Sequence, residues 1–202
     1  MKFFTKVSIA LAAALVLIAS MMDAAQAVEL SQPVTLVANS GLAGSIYEET
    51  VLVAAPLPRG GHIGFILNRP TRVKLETVFP GHAPSRKVSG PLSLGGPVFA
   101  TSVFAIARKA PTNTGANIAL TSGLVAVFDA NSVDRLIETT PNDARYFAGV
   151  VVWTPGELDE EIRSGAWNVR PASADIVFST NPAGLWKELS GGGRWIEVRL
   201  QR

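Results

Sequence analysis

The 202-residue chain contains no cysteine and only two histidines. The absence of cysteine excludes disulfide bonds, a thiol nucleophile, cysteine-bound zinc and a lipidated N-terminal cysteine. His62 and His82 each lie beside a glycine in a predicted loop and lack HxH or HxxxH spacing, although they could still join carboxylates in a metal site. The GxSxG, GxGxxG and HExxH motifs are also missing. We therefore predict no bound metal ion, no other cofactor and no catalytic residue.

A strong excess of charge is missing as well, since the formal net charge is only +2 at pH 7. Basic residues are more frequent in the first half of the chain. They are scattered, however, and are not interleaved with aromatic side chains that could stack on bases. A nucleic-acid partner is therefore an unfavoured alternative, and it would require a steep salt dependence of DNA binding.

The chain has one long apolar run, and it lies at the N-terminus. Lys2 and Lys6 flank its start, residues 7–18 are apolar or small, and Ala25-Gln26-Ala27 supplies the small residues of a cleavage site. The run is shorter than the ~20 apolar residues that span a bilayer core. We predict a signal peptide over residues 1–27, one domain over residues 28–202, and a periplasmic or secreted protein without a membrane span.

The rest of the chain alternates short strands with a few short helices. Runs rich in β-branched residues predict strands at 34–38, 50–54, 63–67, 103–107, 147–153, 176–179 and 195–200, with one or two more between 118 and 128. Asn131 or Ser132 is expected to cap a helix whose apolar stripe begins at Val133. Asn181 followed by Pro182 predicts the start of another helix.

The segment between Trp153 and Trp167 predicts one well-defined helix. Thr154 is the expected N-cap, Pro155 the first helical residue, and Glu157 the partner that completes a capping box. An apolar pair four residues apart is expected to face the core.

This predicted helix carries four carboxylates within five residues, at Glu157, Asp159, Glu160 and Glu161. Two of them could act as general acid and base or bind a metal ion. Negative charge in a first helical turn is also favoured by the helix dipole, by a few tenths to about 1 kcal/mol per charge. Because the dipole accounts for the whole cluster, we interpret it mainly as helix stabilisation.

Two turns complete the set of candidate ligand-binding residues. Asn68-Arg69-Pro70 ends a predicted strand and could present an amide and a guanidinium at a sheet end, unless Arg69 simply pairs with a carboxylate. Gly95-Gly96-Pro97 could form a backbone nest for an anion, although a tight turn is the simpler interpretation. We nominate Asn68, Arg69, Glu157 and Glu161 as ligand-binding residues.

Five segments, in this order, resemble the YqgE/AlgH family. They are Gly64-Phe-Ile-Leu-Asn-Arg-Pro70, Leu94-Gly-Gly-Pro-Val98, the run from Gly149 through Trp153 into Pro155-Gly-Glu-Leu-Asp-Glu-Glu-Ile162, Trp167, and Asp175-Ile-Val-Phe178 with Trp186. The resemblance covers residues 34–189. It implies a compact α+β domain with a mostly antiparallel, partly barrel-like sheet flanked by short helices. Family members are mostly uncharacterised, one branch is named a transcriptional regulator, and no catalytic residues carry over.

The chain departs from the family pattern in several places. The usual Glu-His pair before the glycine loop is replaced by Pro56 and Leu57, and Gly-Tyr-Ala-Gly-Trp becomes Gly149-Val-Val-Val-Trp153. Any chemical role of the Glu-His pair would therefore be lost. The family is usually cytoplasmic, whereas this chain carries a predicted export signal, which weakens the interpretation as a regulator of transcription.

Two functional hypotheses follow. The first is an exported binding or regulatory module of the cell envelope, without enzymatic activity, that binds an unknown protein or small ligand. The second is a hydrolase or metal-dependent enzyme that uses Asn68, Arg69, Glu157 and Glu161. The second hypothesis requires these side chains to converge in one cleft.

Overall fold

The computed structural model describes residues 30–109 and 116–191, so the predicted signal peptide and the predicted strand at 195–200 lie outside the described residues. Within them, ten strands are present: β1 (Val34–Ala38), β2 (Val51–Pro56), β3 (His62–Ile66), β4 (Pro70–Lys74), β5 (Pro91–Leu94), β6 (Val98–Ala107), β7 (Asn117–Thr121), β8 (Leu124–Val127), β9 (Ala144–Trp153) and β10 (Trp167–Pro171). All but one of the predicted strands in this part of the chain are confirmed, and β6 and β9 are longer than predicted.

The helices of the described residues are short. They are α1 (Leu75–Val78), α2 (Ala130–Thr139), α3 (Glu157–Arg163), α4 (Ala174–Val177) and α5 (Leu185–Ser190), with 3-10 turns at Ser40–Leu42, Ala83–Lys87 and Pro182–Gly184. In the parts of the chain that the structure describes, no helix has both the length and the apolar character needed to cross a membrane.

The strands form a single sheet in the order β10-β1-β2-β3-β9-β6-β8-β7, and every neighbouring pair along this path is antiparallel. β5 joins β9 in parallel and carries β4 on its other side. The sheet curls into a half-barrel, so the chain is a compact α+β domain, as the family resemblance implies.

The central strands are buried on both faces of the sheet. In β2, Val51, Val53 and Ala55 enter one core cluster, which includes Phe65 and Phe147, while Leu52 and the other alternate residues enter a second cluster beneath α3. This alternation follows from the two-residue period of a strand. It explains why β2 is an unbroken apolar run rather than an alternating one.

Three glycines allow the connection from β5 to β6 to cross directly against β9. The Gly95 N–H donates to Ala148 O at 2.7 Å, and Gly95 O accepts from Ile66 N at 2.8 Å. Side-chain atoms added at Gly95, Gly96 or Gly149 would overlap backbone of the facing strand. The predicted tight turn at Gly95-Gly96 is therefore a backbone crossing that only glycine permits.

Two secondary-structure predictions were wrong. Residues 176–179 were predicted as a strand, but the first two belong to α4 and the other two follow it, because Ser173 Oγ accepts from Asp175 N at 3.3 Å and caps a helix there. Local capping overrides the β-branched residues that follow. His62 was predicted to lie in a loop, but it is the buried first residue of β3, and its Nε2 lies 3.0 Å from Leu30 O.

The predicted helix caps were displaced by a few residues. Asp129 caps α2, since its Oδ2 accepts from both the N–H and the hydroxyl of Ser132, at 2.9 and 2.8 Å. α3 begins at Glu157 after Gly156, whose φ of 84° is left-handed, so Pro155 precedes the helix instead of opening it. The predicted contact between Thr154 and Glu157 is nevertheless present, since the Glu157 carboxylate accepts from the Thr154 N–H and hydroxyl.

Candidate functional site

Glu161 holds together the two tryptophans that bracket α3. Its Oε2 accepts a hydrogen bond from Trp153 Nε1 at 2.9 Å and from Trp167 Nε1 at 2.6 Å. Trp153 ends β9 and Trp167 begins β10, so one carboxylate connects two separate strands of the sheet. Tyr47 packs edge-on against Trp167, and its pKa is raised by burial and by the negative charges of Glu161 and Glu157. The carboxylate of Glu161 therefore stabilises the fold by binding both indole N–H groups.

Glu157 stabilises the start of the same helix. Its Oε2 accepts from the N–H and from the hydroxyl of Thr154, both at 2.8 Å. The backbone hydrogen bond and then the hydroxyl hydrogen bond hold the pKa of Glu157 below its usual value. Glu160 pairs with Arg163 in the last turn. Glu157 and Glu160 thus serve capping and surface ion pairing, in agreement with the helix-dipole interpretation, whereas Glu161 departs from it by binding the two indoles.

Asn68 connects the end of β3 to the start of β2. Its Oδ1 accepts from Val51 N at 2.9 Å, and its Nδ2 donates to Glu49 O at 2.8 Å. Glu49 has a φ of 53°, in the left-handed region that non-glycine residues rarely adopt. The buried amide of Asn68 therefore fixes a strained backbone segment, and both of its polar atoms are used in doing so.

Arg69 is exposed next to this strained segment and lies in an open cleft of about 650 Å³. One guanidinium nitrogen donates to Glu48 O at 2.7 Å. The cleft is lined by Ser45, Ile46, Glu48, Glu49, Ile66, Arg69, Leu94, Gly96 and Pro97. Two of the predicted turns therefore meet in one place. Neither Glu157 nor Glu161 lines this cleft, so the four nominated residues are not assembled there.

Two large apolar side chains of the cleft are unusually exposed. Ile46 is 68% exposed and Leu94 53% exposed. Phe99, two residues beyond the cleft residue Pro97, is 65% exposed and has a left-handed φ of 54°. Exposed apolar residues and strained backbone both concentrate at binding sites. Ile46 and Leu94 were not predicted as site residues, although an isoleucine in the loop between two predicted strands was a usable signal.

One group of side chains has the composition of a metal site. Ligand atoms of His82, Asp134 and Glu138 lie within 4.8 Å of one another, and His82 Nε2 is 3.3 Å from Asp134 Oδ1. Asp134 and Glu138 are four residues apart on α2, so they share a face. Both carboxylates are exposed, which favours a surface ion pair with His82 over a closed metal site. His62 is not part of this group.

Comparisons with known proteins identify relatives along most of the chain. A family model described as AlgH-like matches residues 35–192. A UPF0301 protein of Chlorobium phaeobacteroides is 32% identical over 165 residues, covering 79% of this chain and 86% of the relative. A UPF0301 protein of Streptomyces coelicolor is 30% identical over 158 residues, covering 76% and 82% of the two chains.

Two solved structures share the fold. The AlgH protein of Pseudomonas aeruginosa superposes with a TM-score of 0.65 at 21% identity, covering 80% of this chain and 87% of that one. The protein DIP2367 of Corynebacterium diphtheriae gives a TM-score of 0.64 at 23% identity, with 81% and 87% covered. At these identities the likeness concerns the fold alone.

Proposed function

The chain belongs to the AlgH-like family, and we propose that it is an exported, non-enzymatic binding module that holds a protein segment in the cleft beside Arg69. The observation that carries the proposal is the composition of this cleft, where the exposed apolar side chains of Ile46 and Leu94 flank an exposed guanidinium. Asn68, Glu157 and Glu161 are occupied by contacts within the fold, which favours binding over the hydrolase hypothesis.

The cleft suits an extended protein segment better than a small molecule. It is wide and open, whereas small-molecule sites enclose most of the ligand surface. Isolated exposed apolar residues need no explanation, but two in one cleft beside an arginine match the composition of protein interfaces. We expect the bound segment to place an apolar side chain between Ile46 and Leu94 and an acidic group on Arg69.

Site-specific photo-crosslinking in intact cells tests this proposal. A benzophenone amino acid placed at Leu94 or Ile46 should give a discrete adduct with another protein. The same probe at Val152 should not, because Val152 is exposed to 40% but lies outside the cleft. Arg69→Gln should reduce the adduct, whereas Arg72→Gln, which removes an exposed arginine of β4, should leave it unchanged. Equal adducts at Val152, or none at Leu94 and Ile46, would exclude the cleft as the binding surface.

Export is a separate part of the proposal and rests on the N-terminal sequence pattern. Signal-peptide cleavage after Ala27 leaves a chain that begins at Val28. Fractionation followed by mass spectrometry should recover this processed chain from the periplasm or the medium. Recovery of the protein from the cytoplasm with residues 1–27 intact would refute export without bearing on the cleft.

A further inference from the structure

Arg145, the second residue of β9, is a half-buried cation that donates only to neutral acceptors. Its Nη1 donates to Val177 O at 2.6 Å, and its Nη2 donates to Leu67 O at 2.9 Å and to Ser93 Oγ at 3.3 Å. Its guanidinium carbon also lies 5.2 Å from the centre of the Phe147 ring. The side chain thus connects β5, α4 and the residue that follows β3 to the strand β9.

Among the residues that the structure describes, no carboxylate forms an ion pair with Arg145. The ion pairs of residues 30–109 and 116–191 join Lys74 to Glu76, His82 to Asp134 and Arg163 to Glu160, and none involves Arg145. Burial lowers the pKa of Arg145 to about 10, so the guanidinium is still charged at neutral pH. A cation removed from water without an anionic partner is costly, and carbonyl oxygens offset only part of this cost.

Arg145 also faces a cavity of about 220 Å³. The cavity is lined by Pro70, Val88, Gly90, Pro91, Ser93, Ala144, Arg145, Tyr146, Ser179 and Pro182. A guanidinium has five N–H donors, and the hydrogen bonds to Val177, Leu67 and Ser93 use one hydrogen of Nη1 and both of Nη2, so the Nε hydrogen and one Nη1 hydrogen remain. A volume of about 220 Å³ is large enough for a small acid.

Two hydroxyl groups of the cavity add further donors. Ser93, which is only 2% exposed, accepts from Arg145 through its Oγ. Ser179 Oγ accepts from Asn181 N at 3.2 Å. Among the described residues, neither hydroxyl donates a hydrogen bond to protein, so each can turn its hydrogen towards a ligand. A cation with spare N–H groups beside two donating hydroxyls is a donor set suited to an anion.

We propose that this cavity is a binding site for a small oxyanion, a carboxylate or a phosphate group, held by Arg145 with Ser93 and Ser179. A charged N–H of Arg145 and the two serine hydroxyls can each donate to an oxygen of either group. The walls formed by Pro70, Val88 and Pro91 are apolar, so they suit the short carbon chain of an organic acid. The site is independent of the cleft beside Arg69, because the two share no lining residue.

NMR titration of the isotope-labelled chain 28–202 tests this site. Sodium acetate and sodium phosphate are added in separate experiments at constant ionic strength, with sodium chloride as the reference. Either anion should cause saturable shifts of the Ser93, Ala144 and Ser179 amides and of Arg145 Nε. Binding at the millimolar level is detectable in this way. Stronger shifts with acetate assign a carboxylate ligand, and stronger shifts with phosphate assign a phosphate ligand.

Variants decide whether these shifts arise from the proposed site. Arg145→Gln should weaken binding by about tenfold or more, as expected for the loss of a charge-assisted pair. Ser179→Ala should weaken it severalfold while leaving the Arg145 contacts intact, and it decides the question if Arg145→Gln does not fold. Arg72→Gln, which removes an exposed arginine that lines neither the cleft nor the cavity, should bind like the unmodified chain. Absence of saturable shifts with both anions, or unchanged affinity in Ser179→Ala and Arg145→Gln, would overturn the proposal.

Discussion

Replacing Glu161 by alanine removes the acceptor shared by Trp153 and Trp167. Both indole rings are almost completely buried, at 3% and 4% exposure, so their N–H groups have little access to water once the carboxylate is gone. A hydrogen bond to a charged group contributes about 1.5–3 kcal/mol, and a buried donor without a partner costs about 1–3 kcal/mol. Because one carboxylate serves both donors and some water can enter, we expect a loss of about 2–4 kcal/mol in the free energy of unfolding.

Urea unfolding followed by far-ultraviolet circular dichroism measures this loss without relying on tryptophan fluorescence. The midpoint of Glu161→Ala should fall by about 1 M or more, at a slope typical of a domain of this size. Glu161→Gln keeps a carbonyl acceptor and should lose less. Glu160→Ala is the matched control on the same helix. Glu160 pairs only with the exposed Arg163, so its replacement should change stability by less than about 1 kcal/mol.

A double-mutant cycle separates the hydrogen bond from the loss of helix charge. Trp167→Phe keeps an aromatic ring in place but removes the indole N–H. Combined with Glu161→Ala, it should cost less than the sum of the two single changes, by about 1 kcal/mol or more. If Glu161→Ala and Glu160→Ala destabilise equally, or if the cycle gives no coupling, the reasoning that assigns Glu161 to the fold is wrong.

Two further predictions concern β9. Gly96→Ala should destabilise the fold by several kcal/mol or prevent folding, because the new methyl group overlaps the Val150 carbonyl. Gly90→Ala is the control, since its methyl group meets open space. In the same urea assay it should be neutral or stabilise the fold by up to about 1 kcal/mol. Tyr146 is buried, and burial raises its pKa well above 10, so above pH 10 the unfolded chain loses this proton before the folded protein does. The stability that depends on Tyr146 is therefore complete below pH 10 and declines above it, by up to about 1.4 kcal/mol per pH unit. Urea unfolding of the unmodified chain and of Tyr146→Phe between pH 9 and 11 measures this decline. The free energy of unfolding of the unmodified chain should fall relative to that of Tyr146→Phe as the pH rises. A difference between the two chains that stays constant would contradict the prediction.

The sequence predicted most strands because their physical cause is local. The apolar run that forms β2 is buried on both faces of the sheet, and runs of β-branched residues between Gly and Pro have few alternatives. The error at 176–179 has a local cause as well, since the cap at Ser173 outweighed the strand propensity of Ile176 and Val177. A sequence-based prediction that weighs caps before propensities would have placed α4 correctly.

The candidate sites were harder to predict because distant segments create them. The cleft combines residues from 45–49 with Arg69 and with the glycine crossing at Gly96. Nothing in the spacing of these segments indicates that the β5–β6 connection crosses against β9. Asn68 and Glu161 were nominated as ligand-binding residues, but the structure uses their polar atoms for contacts within the fold.

A dense group of charges is a weaker indication of function than one charge in an apolar strand. Glu157 and Glu160 lie where solvent and the helix dipole favour negative charge, and Glu161 binds two indole N–H groups, so folding alone accounts for these carboxylates. Arg145 lies in the run Ala144-Arg-Tyr-Phe-Ala148, and the two-residue period of a strand places it on the same face as Phe147, which is core. A cation at such a position is costly, and a buried anion from the chain or a ligand that supplies one would lower this cost. Within the described residues the chain supplies none, which is why we assign the compensating charge to a bound oxyanion.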